Sequence, residues 1–220
     1  MKIKDIYVIN NGYIHCSSVF YASHDILNKL EFHFTTGINK LNGEIDSGNW
    51  AISYLLSMYK YRPKDFILFE QPQALLNNER ISLEELSKFS CYMDIEYPLF
   101  SKNTSVRKLV TRGLKDSKLN YSCDDIKNLF QLDIERFERP LKNIGNDIFR
   151  AMAAIGFSYN KQIFCFPWLS KIRFEGYHKN LTWLLQTLED LEKIVIVPLG
   201  DNHPNQGTVL LALFKLFFVF

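Results

Sequence analysis

Only four of the 220 residues are cysteine (Cys16, Cys91, Cys123 and Cys165), and none forms a C-x-x-C pair. That spacing excludes a zinc site and fits a chain kept reduced in the cytosol. No segment approaches the ~20 consecutive apolar residues of a membrane-spanning helix. The N-terminal MKIKDIYVINNGY alternates like a strand and lacks the apolar core of a signal peptide. Charge of one sign is not in excess either. Lys+Arg 26 against Asp+Glu 24 leaves +2, too little for the electrostatic footprint of a nucleic-acid or anionic-membrane binder. The five histidines (His15, His24, His33, His178 and His203) do not cluster at metal-ligand spacing, and no G-x-S-x-G is present. What the chain does have is apolar bulk: 47% hydrophobic and 15% aromatic residues, the composition of a packed globular protein.

The stretch around which the chain is organised is INKLNGEIDSGNWAISYLLSMY, residues 38–59. Ile38 and Leu41 alternate as in a strand. The run Gly43-Glu44-Ile45-Asp46-Ser47-Gly48 follows, and then Ile52, Leu55, Leu56 and Tyr59 recur at helical spacing. Strand, glycine-bounded loop and helix is the setting of a phosphate-binding loop, G-x-x-x-x-G-K-[ST]. Gly43 and Gly48 stand at the required separation, but Asn49 replaces the lysine and Trp50 the hydroxyl. A neutral amide adds no cation between phosphates, and an indole cannot ligate Mg²⁺. Glu44 and Asp46 would face a polyanion, where like charges ~4–6 Å apart repel by roughly 1–4 kcal/mol. The same residues also suit a plain strand–turn–helix with Asp46 or Ser47 as N-cap.

Read in order, residues 2–9, 13–20, 26–34 and 64–69 form strands, and Gln71-Pro72 breaks the last. Ser82-Leu83-Glu84-Glu85 is a capping-box pattern that starts a short helix, followed by a strand at 89–93. Residues 105–114, 123–130, 134–139 and 144–157 are predicted helices. IFCF (163–166) and IVIV (194–197) read as strands buried on both faces of a parallel sheet, with a helix at 181–191 between them. This αβ alternation wraps around a helical insert. Residues 208–220, TVLLALFKLFFVF, form either a terminal core element or a greasy tail that docks on a partner or membrane surface. Trp168 and Trp183 either fill the core or line a ligand pocket.

This ordering resembles the nucleotide-binding subunit of an ABC (ATP-binding cassette) transporter, over nearly the whole chain. The resemblance rests on ILNKLEFHFTTGINKLNGEIDSGNW, RPLKNIGNDIFRAMAAIGFSYNKQIFCFPWLS and KIVIVPLGD. It implies an α/β, P-loop NTPase-like cassette in one domain spanning 1–220. The core would be 1–90 and 160–220, with an antiparallel β subdomain and a helical subdomain at about 95–158. Laying IFCF on the family's Walker B strand puts Asn143-Ile144-Gly145-Asn146-Asp147 on the family's L-S-G-G-Q signature and Arg150 on the arginine that follows it. The Q-loop glutamine falls within YMDIE (92–96), which contains none. Either Tyr21 or Tyr13 takes the place of the aromatic that stacks on adenine.

The departures imply loss of catalysis. Ile144 replaces the signature serine that contacts the γ-phosphate, while Gly145 keeps one glycine. Pro167 replaces the Walker B aspartate, Trp168 the catalytic glutamate and Leu199 the switch histidine, with His203 four residues beyond. Losing one such transition-state contact costs ~3–4 kcal/mol. With the lysine, hydroxyl, both acids, serine and histidine all replaced, no useful hydrolysis is expected, nor tight ATP or Mg²⁺ binding. The resemblance then implies a catalytically inactive subunit, cytoplasmic and peripheral to the inner face of the membrane. It would serve a structural or regulatory role in an export or resistance transporter. It would pair with itself or with an active ABC ATPase subunit, and meet a membrane permease through residues 94–109. Two alternatives stay open: an unconventional P-loop enzyme using Glu44, Asp46 or Asp147, and a stand-alone scaffold or regulator.

Overall fold

The structure is a computed structural model that describes residues 2–10, 14–16, 30–43, 49–62, 66–68 and 72–200. The sequence readings at Tyr13, Tyr21, residues 44–48, His203 and residues 208–220 lie outside the described residues. So do most of the strand expected at 13–20 and the first part of that expected at 26–34.

Two main sheets share one continuous run of chain. Strands β1 (Asp5–Asn10), β3 (Leu30–Thr35), β6 (Gln73–Leu76) and β7 (Glu79–Ile81) form an antiparallel sheet in the order β3-β1-β6-β7. A smaller antiparallel pair joins β2 (Ile14–Cys16) to β5 (Phe66–Leu68). Immediately after β3, Thr36 and Gly37 turn the chain, and β4 (Gly37–Asn42) enters a second sheet. That second sheet is parallel, ordered β4-β10-β9-β8, with β8 at Ser90–Tyr92, β9 at Ile163–Cys165 and β10 at Ile194–Leu199.

Every residue of β8 and β9, and the first five of β10, is buried, which is why β9 and β10 read as unbroken apolar runs. Helix α1 (Asn49–Met58) packs on one face of the parallel sheet, and its residues 50–58 are all buried. Ser82 caps α2 (Leu83–Phe89) with the reciprocal Ser82–Glu85 bonds expected of its capping box.

The segment between β8 and β9 is helical: α3 (Val106–Ser117), α4 (Cys123–Leu129), α5 (Ile134–Phe137) and α6 (Ile148–Ser158). Gly113 of α3 meets α6 so closely that a Cβ there would lie 2.1 Å from Ser158 Oγ. Helices α7 (Lys171–Gly176) and α8 (His178–Asp190) connect β9 to β10.

Several boundaries differ from the sequence reading. The helix expected at 144–157 opens instead as a 3₁₀ turn, Gly145–Asp147, preceded by another at Leu141–Asn143 and followed by α6, because Gly145 takes the left-handed φ of +65°. The β6–β7 hairpin went unread. Its two-residue turn, Asn77-Asn78, has φ of +50° and +66°, which asparagine tolerates better than most residues. Asn77 also ties the turn to the N-terminus, accepting from Lys4 N at 2.7 Å and donating to Lys2 O at 3.0 Å. Helix α7 was missed as well. Ser170 caps it, yet the helix buries no residue and so leaves no apolar period in the sequence.

Candidate functional site at the carboxyl ends of the parallel strands

In open α/β sheets ligands bind beyond the carboxyl ends of the parallel strands. Gly43, Met93, Pro167 and Gly200 each fall just past such an end, on β4, β8, β9 and β10 respectively. Gly43 N donates to Leu199 O at 2.9 Å, which closes the β4–β10 ladder beneath the glycine-bounded loop.

Pro167 has no N–H to donate, and the β9–β10 ladder changes phase at that point. Phe166 N bonds Ile196 O at 2.8 Å, and the next rung is Leu169 N to Pro198 O at 2.9 Å. Three residues on one side therefore oppose two on the other, and Pro167-Trp168 bulges out of the ladder. The bulge aims the indole of Trp168 across the strand ends. Its Nε1–H donates to Gly43 O at 3.1 Å. Its ring lies over Gly200, where a Cβ would sit 2.7 Å from Cζ2. Trp168, which the resemblance sets at the catalytic glutamate, thus bridges Gly43 and the end of β10.

Trp50, aligned with the Mg²⁺-binding hydroxyl, is fully buried and among the largest side chains of the core. One helical turn on, Ser53 turns inward and donates to Phe166 O at 2.6 Å, tying α1 to the carboxyl end of β9. Cys165 lies beside it. Burial pushes its thiol up to about 12, with the neighbouring Ser57 and Ser53 hydroxyls pulling the other way, so it is no nucleophile at neutral pH.

The residues aligned with the signature are split in their exposure. Ile144 is buried, Gly145 has open space around its Cα, and Asn146 is exposed. Asp147 turns inward, 2.8 Å from Arg136 and 3.6 Å from Arg150. Arg150 also donates to Asn180 Oδ1 at 2.9 Å and lies over the Trp183 ring, 5.0 Å from its centroid. A guanidinium aligned with the family's arginine is therefore absorbed into packing between α6 and α8. Trp183 serves as its aromatic platform.

A groove of about 290 Å³ joins three of the aligned regions, with Met93 and Asp94, Gly145 and Ile148, and Pro167 and Arg173 in its walls. Sequence reasoning missed Ser53, Arg136 and Asn180. The Ser53–Ser57 spacing was a visible signal of a polar stripe inside α1. Nothing local marked Arg136 or Asn180 as partners of the 147–150 pair.

Among the described residues no three His, Cys, Asp or Glu side chains lie close enough to hold a metal ion. The side chains that are described do not fit a magnesium triphosphate. Trp50 is locked in the core, the Trp168 indole covers Gly200, and the carboxylate of Asp147 is engaged by two arginines.

A parallel sheet whose first strand, β4, is followed by the buried helix α1 is an open α/β arrangement with its loops gathered at the carboxyl ends of the strands. No protein-family model and no curated protein matches the sequence. Solved structures do match the fold. A putative ABC transporter ATP-binding protein from Pyrococcus furiosus aligns with TM-score 0.59 at 14% identity, over 91% of this chain and 94% of that one. The cbiO1 protein from Clostridium perfringens, part of the ABC transporter complex cbiONQ, gives 0.59 at 15% over 90% and 79%. A bacterial Atm1-family ABC exporter with ATP bound gives 0.56 at 11% over 95% of this chain and 36% of that one. The chain has the fold of the ATP-binding cassette of ABC transporters.

Proposed function

We propose that this chain is a cassette subunit that no longer hydrolyses ATP and works as a structural or regulatory component of a transporter complex. The observation that carries the reading is the Trp168 bridge, in which an indole bonded to Gly43 O and packed on Gly200 takes the catalytic glutamate's position. In-line phosphoryl transfer needs a water held against the γ-phosphate and its charge neutralised, and an indole supplies neither. Two of the structural neighbours are an ABC exporter and a component of a multi-subunit transporter, which supports a membrane permease or an active ATPase subunit as the partner. No helix among the described residues is long and apolar enough to cross a membrane. An export or resistance role and a position at the inner membrane face belong to the same proposal.

The test is phosphate release from Mg-ATP by the purified chain, alone and with whatever membrane protein co-purifies with it. Release at background level, unchanged by Trp168→Ala, is expected. Hydrolysis above background that is abolished by changes within residues 43–50 refutes the reading.

A further inference from the structure

The parallel sheet has a second rim at the amino ends of its strands, remote from the Trp168 bridge. Helix α1 runs from the loop to this rim and ends in a 3₁₀ turn, Tyr59–Tyr61. Lys88 precedes β8 here and Lys161 precedes β9. Lys60, Tyr61, Lys88 and Lys161 line one cleft of about 280 Å³ with Glu84 and Tyr97.

The charges in this cleft do not balance. Among the described residues, three ammonium groups share it with one carboxylate, and none of the three lysines makes an ion pair with Glu84 or with any other acid. Lys161 is the most constrained of them. It is half-buried, and its Nζ donates to Lys88 O at the end of α2, capping that helix. An ammonium has three donors, and that cap uses one. Burial pulls the Lys161 ammonium below its ordinary range, the direction expected of a desolvated cation without a counter-ion. Lys60 and Lys88 are exposed, so water partly screens the repulsion among the three cations, and an anion entering the cleft would meet all three. Beside them Tyr61 is 51% exposed, leaving an aromatic ring available at the cleft. Tyr97, by contrast, is buried and spends its hydroxyl on Ser90 O at 2.8 Å, which makes it a fixed wall.

We propose that this cleft binds a small phosphorylated ligand of about nucleoside-monophosphate size, with its phosphate among Lys60, Lys88 and Lys161 and its ring against Tyr61. The volume lies at the lower end for small-molecule sites, and compact ammonium groups suit a phosphate as point charges. The site is independent of the Trp168 bridge and of whether the chain hydrolyses ATP.

The experiment is calorimetric titration with inorganic phosphate, adenosine 5′-monophosphate and uncharged adenosine, without magnesium, paired with lysine acylation footprinting by mass spectrometry. The expected result is that the monophosphate binds more tightly than phosphate alone and slows acylation of Lys60, Lys88 and Lys161. Lys60→Gln and Lys88→Gln should each weaken it about tenfold, and Tyr61→Ala should weaken the monophosphate but not phosphate. Because Lys161 also caps α2, its variant could simply lose stability, whereas Lys60 and Lys88 carry no described side-chain bond. Three outcomes overturn the proposal: no binding at millimolar probe, adenosine binding as well as its monophosphate, or binding lost in Trp168→Ala yet untouched by the lysine variants.

Discussion

Substituting Gly200 with alanine isolates the Trp168 bridge. The Gly200 backbone lies outside the left-handed region, so alanine is free of backbone strain there. With open space above it, Gly→Ala at such a site stabilises by ~0.4–1 kcal/mol through the unfolded chain. Here the new methyl would lie 2.7 Å from Trp168 Cζ2. The indole cannot rotate away without releasing Gly43 O. Overpacking costs ~1–3 kcal/mol and the lost hydrogen bond ~0.5–1.5 kcal/mol. With the unfolded-state gain set against these two costs, the single change should destabilise by ~1–4 kcal/mol. In a Trp168→Ala background the clash has gone, and the same Gly200→Ala change should become neutral or stabilising. Urea unfolding of the four proteins in this cycle, followed by circular dichroism, gives the coupling directly. Effects that add within ~0.5 kcal/mol would mean that the indole does not sit over Gly200, and the account of the site would fail.

Two further predictions concern buried charge. Asp147→Asn leaves Arg136 and Arg150 without their shared carboxylate, and a destabilisation of ~1–3 kcal/mol is expected in the same unfolding assay, with Asp147→Glu partly restoring it. Lys193 is buried, bonded to Gln162 Oε1 at 3.0 Å and placed over the Phe157 ring, and desolvation pulls its ammonium down to about 8. Glu192 and Lys2 are the charged groups acting on it. Below pH 8 the group is protonated in both states and the folded chain bears the whole desolvation cost. Between pH 8 and its ordinary value near 10.5 the unfolded state binds more protons, so stability rises with pH. Relative to Lys193→Met, the native chain should gain ~1–3 kcal/mol across that window; a flat difference curve would contradict the burial argument.

The layers of the fold were legible where one physical demand controlled the sequence. The segments IFCF and IVIV are apolar on every residue because both faces of a parallel strand are covered, and the Ser82–Glu85 box states its own helix start. The hairpin at Asn77-Asn78 was hidden because QALLNNERI is short and only Ala74 and Leu76 of it are buried in their strands. Helix α7 was hidden because it buries no residue fully and only Phe174 leans on the core, too little for an apolar period. The resemblance assigns positions by spacing from IFCF, but spacing says nothing of their roles in packing. The direction of the Trp168 indole depends on a bulge forced by Pro167 in one strand and on a glycine 32 positions away in another. Asp147 finds Arg136 only once two 3₁₀ turns have folded the chain back.

The bend at Thr36-Gly37 makes β3 and β4 a single rod crossing from one sheet to the other. Asn39 rivets the bend, accepting from Thr35 N at 3.1 Å and donating to Thr35 O and Gly37 O. The far end of that rod is Gly43, the residue gripped by Trp168. Displacing the antiparallel sheet would therefore shift the very carbonyl that the indole holds.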